Sequence, residues 1–231
     1  MTHPILYSYR RCPYAMRARM GVYASGIQVE QREIVFWDKP EPMLQASPKG
    51  TVPVLVTGAE VIDESFDILL WALARSDRFG WLPESSDRYR QAKDWVSLND
   101  YEFKPALDRY KYADRHPEHP QVVYRQQGEE FLAQCEAQLE KTLYLTGKQC
   151  SFADIAIFPF IRQFAHVDKT WWARRPYPKV YDWLKGHLDA DYFRGVMKNR
   201  PVWQPGQHPL WVDEPELETR DQFARKALAQ S

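Results

Sequence analysis

The sequence predicts an α/β domain, with a mixed four-stranded sheet and helices, followed by an all-helical domain. Up to residue 77, short apolar segments with strand patterning alternate with segments of helical spacing. Residues 78–88 are polar and contain Gly80 and Pro83, as expected of a linker. The periodic segments within 89–231 are all helical. A chain of 231 residues is long enough for two domains that each bury a core.

The first domain is predicted to begin with a strand and a helix. Ile5 to Tyr9 is short, apolar and aromatic, which is typical of a buried strand. Pro13 suits the first turn of a helix, where its missing N–H costs nothing. The helical spacing that follows continues to Gly26, which we expect to cap the helix.

The rest of the first domain completes a small mixed sheet. Strands are predicted at Val29 to Trp37, at Thr51 to Val56 and, after a turn, at Val61-Ile62. At most a short helix fits within 38–46, and a longer one is predicted from Ser65 to Ala74. This order combines a βαβ unit with an antiparallel hairpin.

The second domain is predicted to be built from long helices. Helical patterns cover Tyr89 to Tyr112, Gln121 to Leu143 and Pro178 to Leu188. Ser151-Phe152-Ala153-Asp154 resembles a capping box, and the nearly all-apolar helix that it opens should lie at the centre of the domain. Residues 200–215 are predicted to be irregular, and 216–230 to form a charged terminal helix.

Composition excludes several functional classes. Lys plus Arg and Asp plus Glu both number 31, so the balanced charge does not favour nucleic acid or an anionic membrane as partner. No apolar run approaches the roughly 18 residues of a spanning helix. Three cysteines are too few for a secreted disulfide framework, and the N-terminus lacks a signal-peptide pattern. We therefore expect a cytoplasmic protein with no nucleic-acid and no membrane partner.

Cys12 is the predicted catalytic residue. It stands where the first strand gives way to a helix, and a helix N-terminus favours the thiolate form of a cysteine. Four arginines lie nearby in the sequence, at positions 10, 11, 17 and 19, and any that face the sulfur would favour the thiolate further. Ala15 occupies the position of the second cysteine in a Cys-x-x-Cys motif, so any redox cycle must recruit an external thiol. The competing interpretation is a small buried residue, the commonest role of a free cysteine.

The other side chains that could react or bind a metal are interpreted as structural. Cys135 and Cys150 are interpreted as packing residues, with a disulfide between them as an alternative that suits neither a reducing compartment nor the fold. The loop His116-Pro117-Glu118-His119 carries metal-capable side chains. Because its prolines prevent the helical spacing of a metal site, we predict that the protein binds no metal.

Three motifs, in order, resemble the cytosolic glutathione transferase superfamily and, within it, the omega-like, cysteine-active branch. They are Cys12-Pro13-Tyr14-Ala15, Thr51-Val52-Pro53 and Asp63-Glu64-Ser65. The resemblance covers nearly the whole chain. It implies a thioredoxin-like glutathione-binding domain at 1–77, a linker at 78–88, and an all-helical domain at 89–231 that contributes the second-substrate pocket. It also implies a homodimer.

The resemblance further implies that glutathione is the co-substrate. The family positions that contact glutathione correspond here to Tyr14, Lys39, Val52, Pro53, Glu64 and Ser65. By this correspondence, a cis Pro53 exposes Val52 to pair with the cysteinyl part of glutathione, a role that proline can fill because its cis bond is inexpensive. The γ-glutamyl carboxylate would lie at the helix N-terminus that begins with Ser65, and its ammonium would pair with Glu64.

Two further assignments follow from the resemblance, each with an alternative. Lys39 matches the position that meets the glycyl carboxylate. Without the resemblance, it would be interpreted as a solvated surface lysine. The second-substrate pocket is assigned to aromatic residues for which packing between helices is an equal alternative, namely Tyr101, Tyr110, Trp171 and Trp172. Tyr7, Ser8 and Tyr9 offer hydroxyls that could replace Cys12 in catalysis, as in many relatives. If strand periodicity puts Tyr7 and Tyr9 on one face, their simpler interpretation is as aromatic packing residues.

The predicted function is a glutathione-dependent thiol transferase or reductase, with thioltransferase or dehydroascorbate-reductase-type activity. Cys12 would form a mixed disulfide with glutathione, and the other substrate would be a small electrophile or a disulfide. The alternative is a glutathione-transferase-like binding or regulatory protein without catalysis. The presence together of Cys12, Lys39, Val52, Pro53, Glu64 and Ser65 argues against that alternative.

Overall fold

The computed structural model describes residues 3–214, which form two compact units. The first contains residues 3–78 and 191–214, and the second contains 79–190. The sequence assigned 191 onward to the helical domain, whereas the described part of this segment packs with the sheet. The predicted helix at 216–230 lies outside the described residues.

The first unit is built on a four-stranded mixed sheet, as predicted. Strand β1 (Ile5–Ser8) pairs in parallel with β2 (Glu30–Glu33) and antiparallel with β3 (Val54–Val56). Strand β4 (Val61–Ile62) pairs antiparallel with β3, giving the order β2-β1-β3-β4. Strand β2 is shorter than predicted because the chain turns back through a bridge between residues 35 and 38.

Helices pack against this sheet and against one another. Helix α1 (Pro13–Ser25) ends at Gly26, whose φ of 67° is the left-handed conformation of a glycine cap. Helix α2 (Glu41–Ala46) is short, and α3 (Ser65–Leu73) packs closely on α1. The close approach requires Gly21, because a Cβ there would lie 2.8 Å from a backbone atom of α3.

The segment 191–214 returns the chain to the first unit. Helix α10 (Asp191–Val196) packs on α1, and the irregular segment after it runs along β2. The Gln31 N–H donates to the Leu210 carbonyl at 2.7 Å, and the Trp203 N–H donates to the Glu33 carbonyl at 2.8 Å. These bonds satisfy backbone groups that an open sheet edge would leave unpaired.

The second unit is helical, as predicted. Its α-helices are α4 (Ser86–Leu98), α5 (Lys104–Lys111), α6 (Gln121–Leu139), α7 (Phe152–Ala165), α8 (Lys169–Trp172) and α9 (Pro178–Asp189). A π-helical turn at Asn99–Phe103 joins α4 to α5, so the predicted helix over 89–112 is present with one wide turn inside it. No helix within residues 3–214 is long and apolar enough to cross a membrane.

The predicted capping box begins the central helix of this unit. The Ser151 hydroxyl accepts the Ala153 N–H, and the Asp154 carboxylate accepts the Ser151 N–H at 2.9 Å. The same carboxylate accepts the Leu145 N–H at 2.9 Å and the Trp183 indole N–H at 3.0 Å. Burial raises the pKa of Asp154, while these hydrogen bonds favour its ionised form.

Candidate functional site

Cys12 lies at the N-terminus of α1, where the sequence placed it. It is the N-cap residue, with an extended backbone, and Pro13 follows as the first helical residue. Its N–H donates to the Tyr9 carbonyl at 3.0 Å, and its carbonyl accepts the Met16 N–H at 2.9 Å. The thiol is half-buried. It is therefore fixed at the positive end of a helix and remains open to a reaction partner.

Val52 and Pro53 lie next to the thiol, although 40 residues separate them from it. The Cys12 Sγ lies 3.8 Å from the Val52 carbonyl oxygen, to which it donates. The Val52–Pro53 peptide bond is cis, as the resemblance implied. The fold thus brings the half-buried thiol of Cys12 next to the backbone of Val52, whose side chain is buried in the core of the first unit.

Arg19 holds the loop that leads to Cys12. Its side chain is fully buried and donates to the Ser8 hydroxyl at 2.6 Å and to the Arg10 carbonyl at 2.9 Å. Burial lowers the pKa of Arg19 to about 10, and the nearby Glu33 and Cys12 act in the opposite direction. Because these donors reach a hydroxyl and loop carbonyls, Arg19 positions the loop in addition to placing positive charge near the sulfur.

Arg17 connects two of the predicted ligand positions. It is buried, and its guanidinium donates to the Ser65 hydroxyl at 3.3 Å. The guanidinium carbon also lies 5.6 Å from the centre of the Tyr14 ring. The sequence singled out Arg17 only as a possible neighbour of the sulfur. Its contact with Ser65 was missed because it joins residues 48 positions apart.

The acidic motif before α3 is already engaged by a lysine. The Lys49 Nζ lies 2.8 Å from Glu64 Oε1 and 3.0 Å from Asp63 Oδ1. Hydrogen bonds to Glu64 and Asp63 raise the pKa of Lys49, and the Ser47 hydroxyl, which donates to Asp63 at 2.7 Å, lowers the pKa of that carboxyl. Lys49 was not among the predicted site residues. Its place just before the Thr51-Val52-Pro53 motif is the only signal the sequence offered.

Lys39 is half-buried, and its ammonium is available to a ligand. Its Nζ lies close to Gly50, whose φ of +61° suits glycine. A Cβ added to Gly50 would lie 3.4 Å from this Nζ. Among residues 3–214, Lys39 has no hydrogen-bond or ion-pair partner. A partly buried cation without a counter-ion is suited to a ligand carboxylate.

Two of the three alternative hydroxyls, those of Tyr7 and Ser8, accept hydrogen bonds from arginines. The Tyr7 hydroxyl accepts an N–H of Arg32 at 3.1 Å, and Ser8 accepts from Arg19. The Tyr7 side chain is buried in the core, and the Tyr9 ring packs edge-on against Phe36 with centroids 4.6 Å apart. These positions support the interpretation of Tyr7 and Tyr9 as packing residues.

The aromatic residues predicted for the second-substrate pocket have different surroundings in the helical unit. Tyr101 is 81% exposed, whereas Tyr110 is buried against Phe164. Trp171 also contacts Phe164, with centroids 6.0 Å apart. Trp172 stacks on a neighbouring tyrosine and lines a largely apolar cavity of about 330 Å³ formed by α7, α8 and α9.

The remaining cysteines and histidines have structural surroundings. None of the three cysteines, all within the described residues, forms a disulfide. Cys135 is fully buried, and burial raises the pKa of its thiol well above the usual value. His116 and His119 both pack edge-on against Tyr124. In the described part of the chain, no group of three His, Cys, Asp or Glu side chains is placed to hold a metal ion.

Comparison with known proteins points to one family. Residues 6–78 match the model of the glutathione S-transferase N-terminal domain, and residues 62–186 match that of the C-terminal domain. The chain is 25% identical over 185 residues to glutathione S-transferase U28 of Arabidopsis thaliana, covering 78% of this chain and 82% of the relative. It is 29% identical over 166 residues to glutathione S-transferase omega-1 of Rattus norvegicus, covering 71% of this chain and 68% of the relative.

A solved structure shares the fold. A glutathione transferase family member from Pseudomonas fluorescens, determined with two glutathione molecules bound, superposes with a TM-score of 0.72 at 17% identity. The superposition covers 83% of this chain and 91% of that one. The relatives with similar sequences include plant transferases as well as omega-1, so assignment to the omega-like branch stays a prediction.

Proposed function

We propose that this chain, which belongs to the glutathione S-transferase family, is a glutathione-dependent thiol transferase or reductase that works through Cys12. The observation that carries the proposal is the position of the thiol. Cys12 lies half-buried at a helix N-terminus, with its Sγ 3.8 Å from the Val52 carbonyl and the cis Val52–Pro53 bond beside it. A sulfur held there would meet the cysteinyl sulfur of a glutathione paired with Val52.

Glutathione would bind through its three charged groups at the end of the sheet where β1 ends and β3 begins. The γ-glutamyl carboxylate would lie at the N-terminus of α3, near the Ser65 hydroxyl that Arg17 contacts. The ammonium would pair with Glu64. The glycyl carboxylate would pair with the Lys39 ammonium, and Tyr14 would pack on the ligand.

The reaction follows a monothiol cycle. The Cys12 thiolate attacks the glutathionyl sulfur of a mixed disulfide, the substrate leaves as a thiolate, and Cys12 carries the glutathione. A second glutathione thiolate then attacks this new disulfide, which releases the Cys12 thiolate and oxidised glutathione. Ala15 supplies no resolving thiol, Cys135 is fully buried, and Cys150 is interpreted as a packing residue, so external glutathione completes the cycle.

The experiment that tests this mechanism is intact-mass analysis after incubation with oxidised glutathione. The wild type should gain one glutathionyl group, and Cys12→Ser should gain none. Cys150→Ser is the matched control, since it removes another half-buried thiol and should keep the adduct. An unmodified wild type, or an adduct that persists in Cys12→Ser, contradicts the proposal and favours a non-catalytic binding protein.

The partners and setting are part of the same proposal. We expect a cytoplasmic homodimer that acts on a small electrophilic or disulfide substrate. The residues of the helical unit predicted for that substrate are Tyr101, Tyr110, Trp171 and Trp172, and of these Trp172 lines an apolar cavity. Conjugation of glutathione to aromatic halides should be weak, because a cysteine facing the ligand forms a disulfide more readily than it activates the thiol.

A further inference from the structure

The acidic motif before α3 already holds an ammonium group that belongs to the protein. The Lys49 Nζ sits between Glu64 Oε1 at 2.8 Å and Asp63 Oδ1 at 3.0 Å. Asp63 is held in place by the Ser47 hydroxyl, which donates to its second oxygen at 2.7 Å. The ion pair is open to solvent, since the side chains of Lys49 and Glu64 are 52% and 67% exposed.

We propose that Lys49 is a specificity-determining residue that competes with the ammonium group of glutathione for Glu64 and Asp63. The inference rests on the proposed function, which places the γ-glutamyl ammonium at Glu64. A ligand with an ammonium group must share these carboxylates with Lys49 or displace it. A ligand without an ammonium group cannot form an ion pair with these carboxylates, so Lys49 does not compete with it.

The charges and geometry favour displacement over exclusion. Two carboxylates face one lysine, so the group keeps a net negative charge that attracts a second cation. Exposed ion pairs are weak and screened, and the long lysine stem can move away without disturbing the backbone. Hydrogen bonds to Glu64 and Asp63 raise the pKa of Lys49, so the lysine stays charged at neutral pH. Lys49 should therefore weaken the affinity for glutathione by a modest factor.

The test compares two ligands that differ only in the ammonium group. The first is S-methylglutathione, whose thioether cannot form a disulfide with Cys12. The second carries a glutaryl group in place of the γ-glutamyl group. Calorimetry would give the Kd of each ligand for the wild type, Lys49→Met and Lys49→Arg. Lys148→Met, which removes an exposed lysine from the helical unit, controls for the change in net charge.

Lys49→Met should bind S-methylglutathione about three- to fivefold more tightly, the range that an exposed ion pair allows. It should bind the glutaryl compound no more tightly than the wild type does. Lys49→Arg and Lys148→Met should keep the wild-type ratio of the two Kd values.

Two results overturn the inference, and each is separate from a failure of the proposed function. If Lys49→Met changes neither Kd, or lowers both by the same factor, Lys49 does not compete with the ammonium. If Lys49→Met weakens the binding of both ligands by the same factor, the role of Lys49 is only to tie the loop at 47–50 to α3. A wild type that binds neither ligand would instead defeat the proposed glutathione site itself.

Discussion

At the scale of single residues, a small number of buried side chains holds the loop that leads to Cys12. The loop that precedes α1 receives hydrogen bonds from Arg19 at the Tyr9 and Arg10 carbonyls, at 3.3 and 2.9 Å. The Arg10 N–H in turn donates to the buried Glu33 carboxylate. A buried arginine with this many partners cannot be replaced by a lysine, whose single ammonium cannot reach them together.

Arg19→Met should therefore destabilise the protein strongly. It removes a buried positive charge that attracts Glu33, and it takes a donor away from the Ser8 hydroxyl and from the Tyr9 and Arg10 carbonyls. We expect a loss of about 3–5 kcal/mol in the free energy of unfolding. Urea denaturation measures it, with Arg90→Met as the control, since Arg90 is 72% exposed and should change stability by less than about 0.5 kcal/mol. Equal effects of the two substitutions would contradict this role for Arg19.

At the scale of elements, the start of α7 organises the helical unit. One carboxylate, Asp154, serves the helix cap, the loop at Leu145 and the Trp183 indole of α9. The helix that follows is buried along almost its whole length, so its position sets the packing of its neighbours.

Asp154→Ala should cost more than the loss of an ordinary cap. A cap contributes about 1 kcal/mol, but this change also leaves the buried Leu145 N–H and Trp183 N–H without an acceptor. We expect a loss of about 3 kcal/mol or more, measured by thermal or urea unfolding. Asp87→Ala, at the first turn of α4 and 91% exposed, is the matched control. A loss of only about 1 kcal/mol would show that Asp154 acts as a simple cap.

At the scale of the whole molecule, the chain leaves the sheet-containing unit at residue 78 and returns to it at 191. The helical unit is therefore an insertion in the described part of the chain, with a core of its own. That core contains a histidine, His187, which stacks on Phe158 with ring centroids 4.9 Å apart. Burial lowers the pKa of His187 to about 3.

This histidine should make the stability of the protein depend on pH. Between pH 6.5 and about 3 the unfolded chain protonates His187 and the folded chain does not, so stability falls as the pH falls through this window. From pH 7 to pH 5 the loss from this residue should be about 2 kcal/mol. In His187→Phe, which keeps an aromatic ring against Phe158, the decline measured by urea unfolding should be smaller by that amount. Identical declines in the two proteins would contradict the prediction.

The sequence by itself determined the features that depend on local patterns. The strand and helix order, the glycine cap at Gly26, the capping box at Ser151 and the place of Cys12 at a helix start all follow from residues within a few positions of one another. Such features can be predicted because backbone preferences and caps act over short stretches of chain. The family resemblance also implied the cis bond before Pro53.

Only the tertiary structure decided the contacts between distant residues. It brought Cys12 to Val52, directed Arg17 to Ser65, placed Lys49 between Asp63 and Glu64, and laid the segment after α10 along β2. A charged side chain in the sequence indicates no partner, because its orientation depends on which elements the fold brings beside it. For the same reason, the sequence identified the thiol of the proposed site, and the fold revealed the lysine that shares the site's carboxylates.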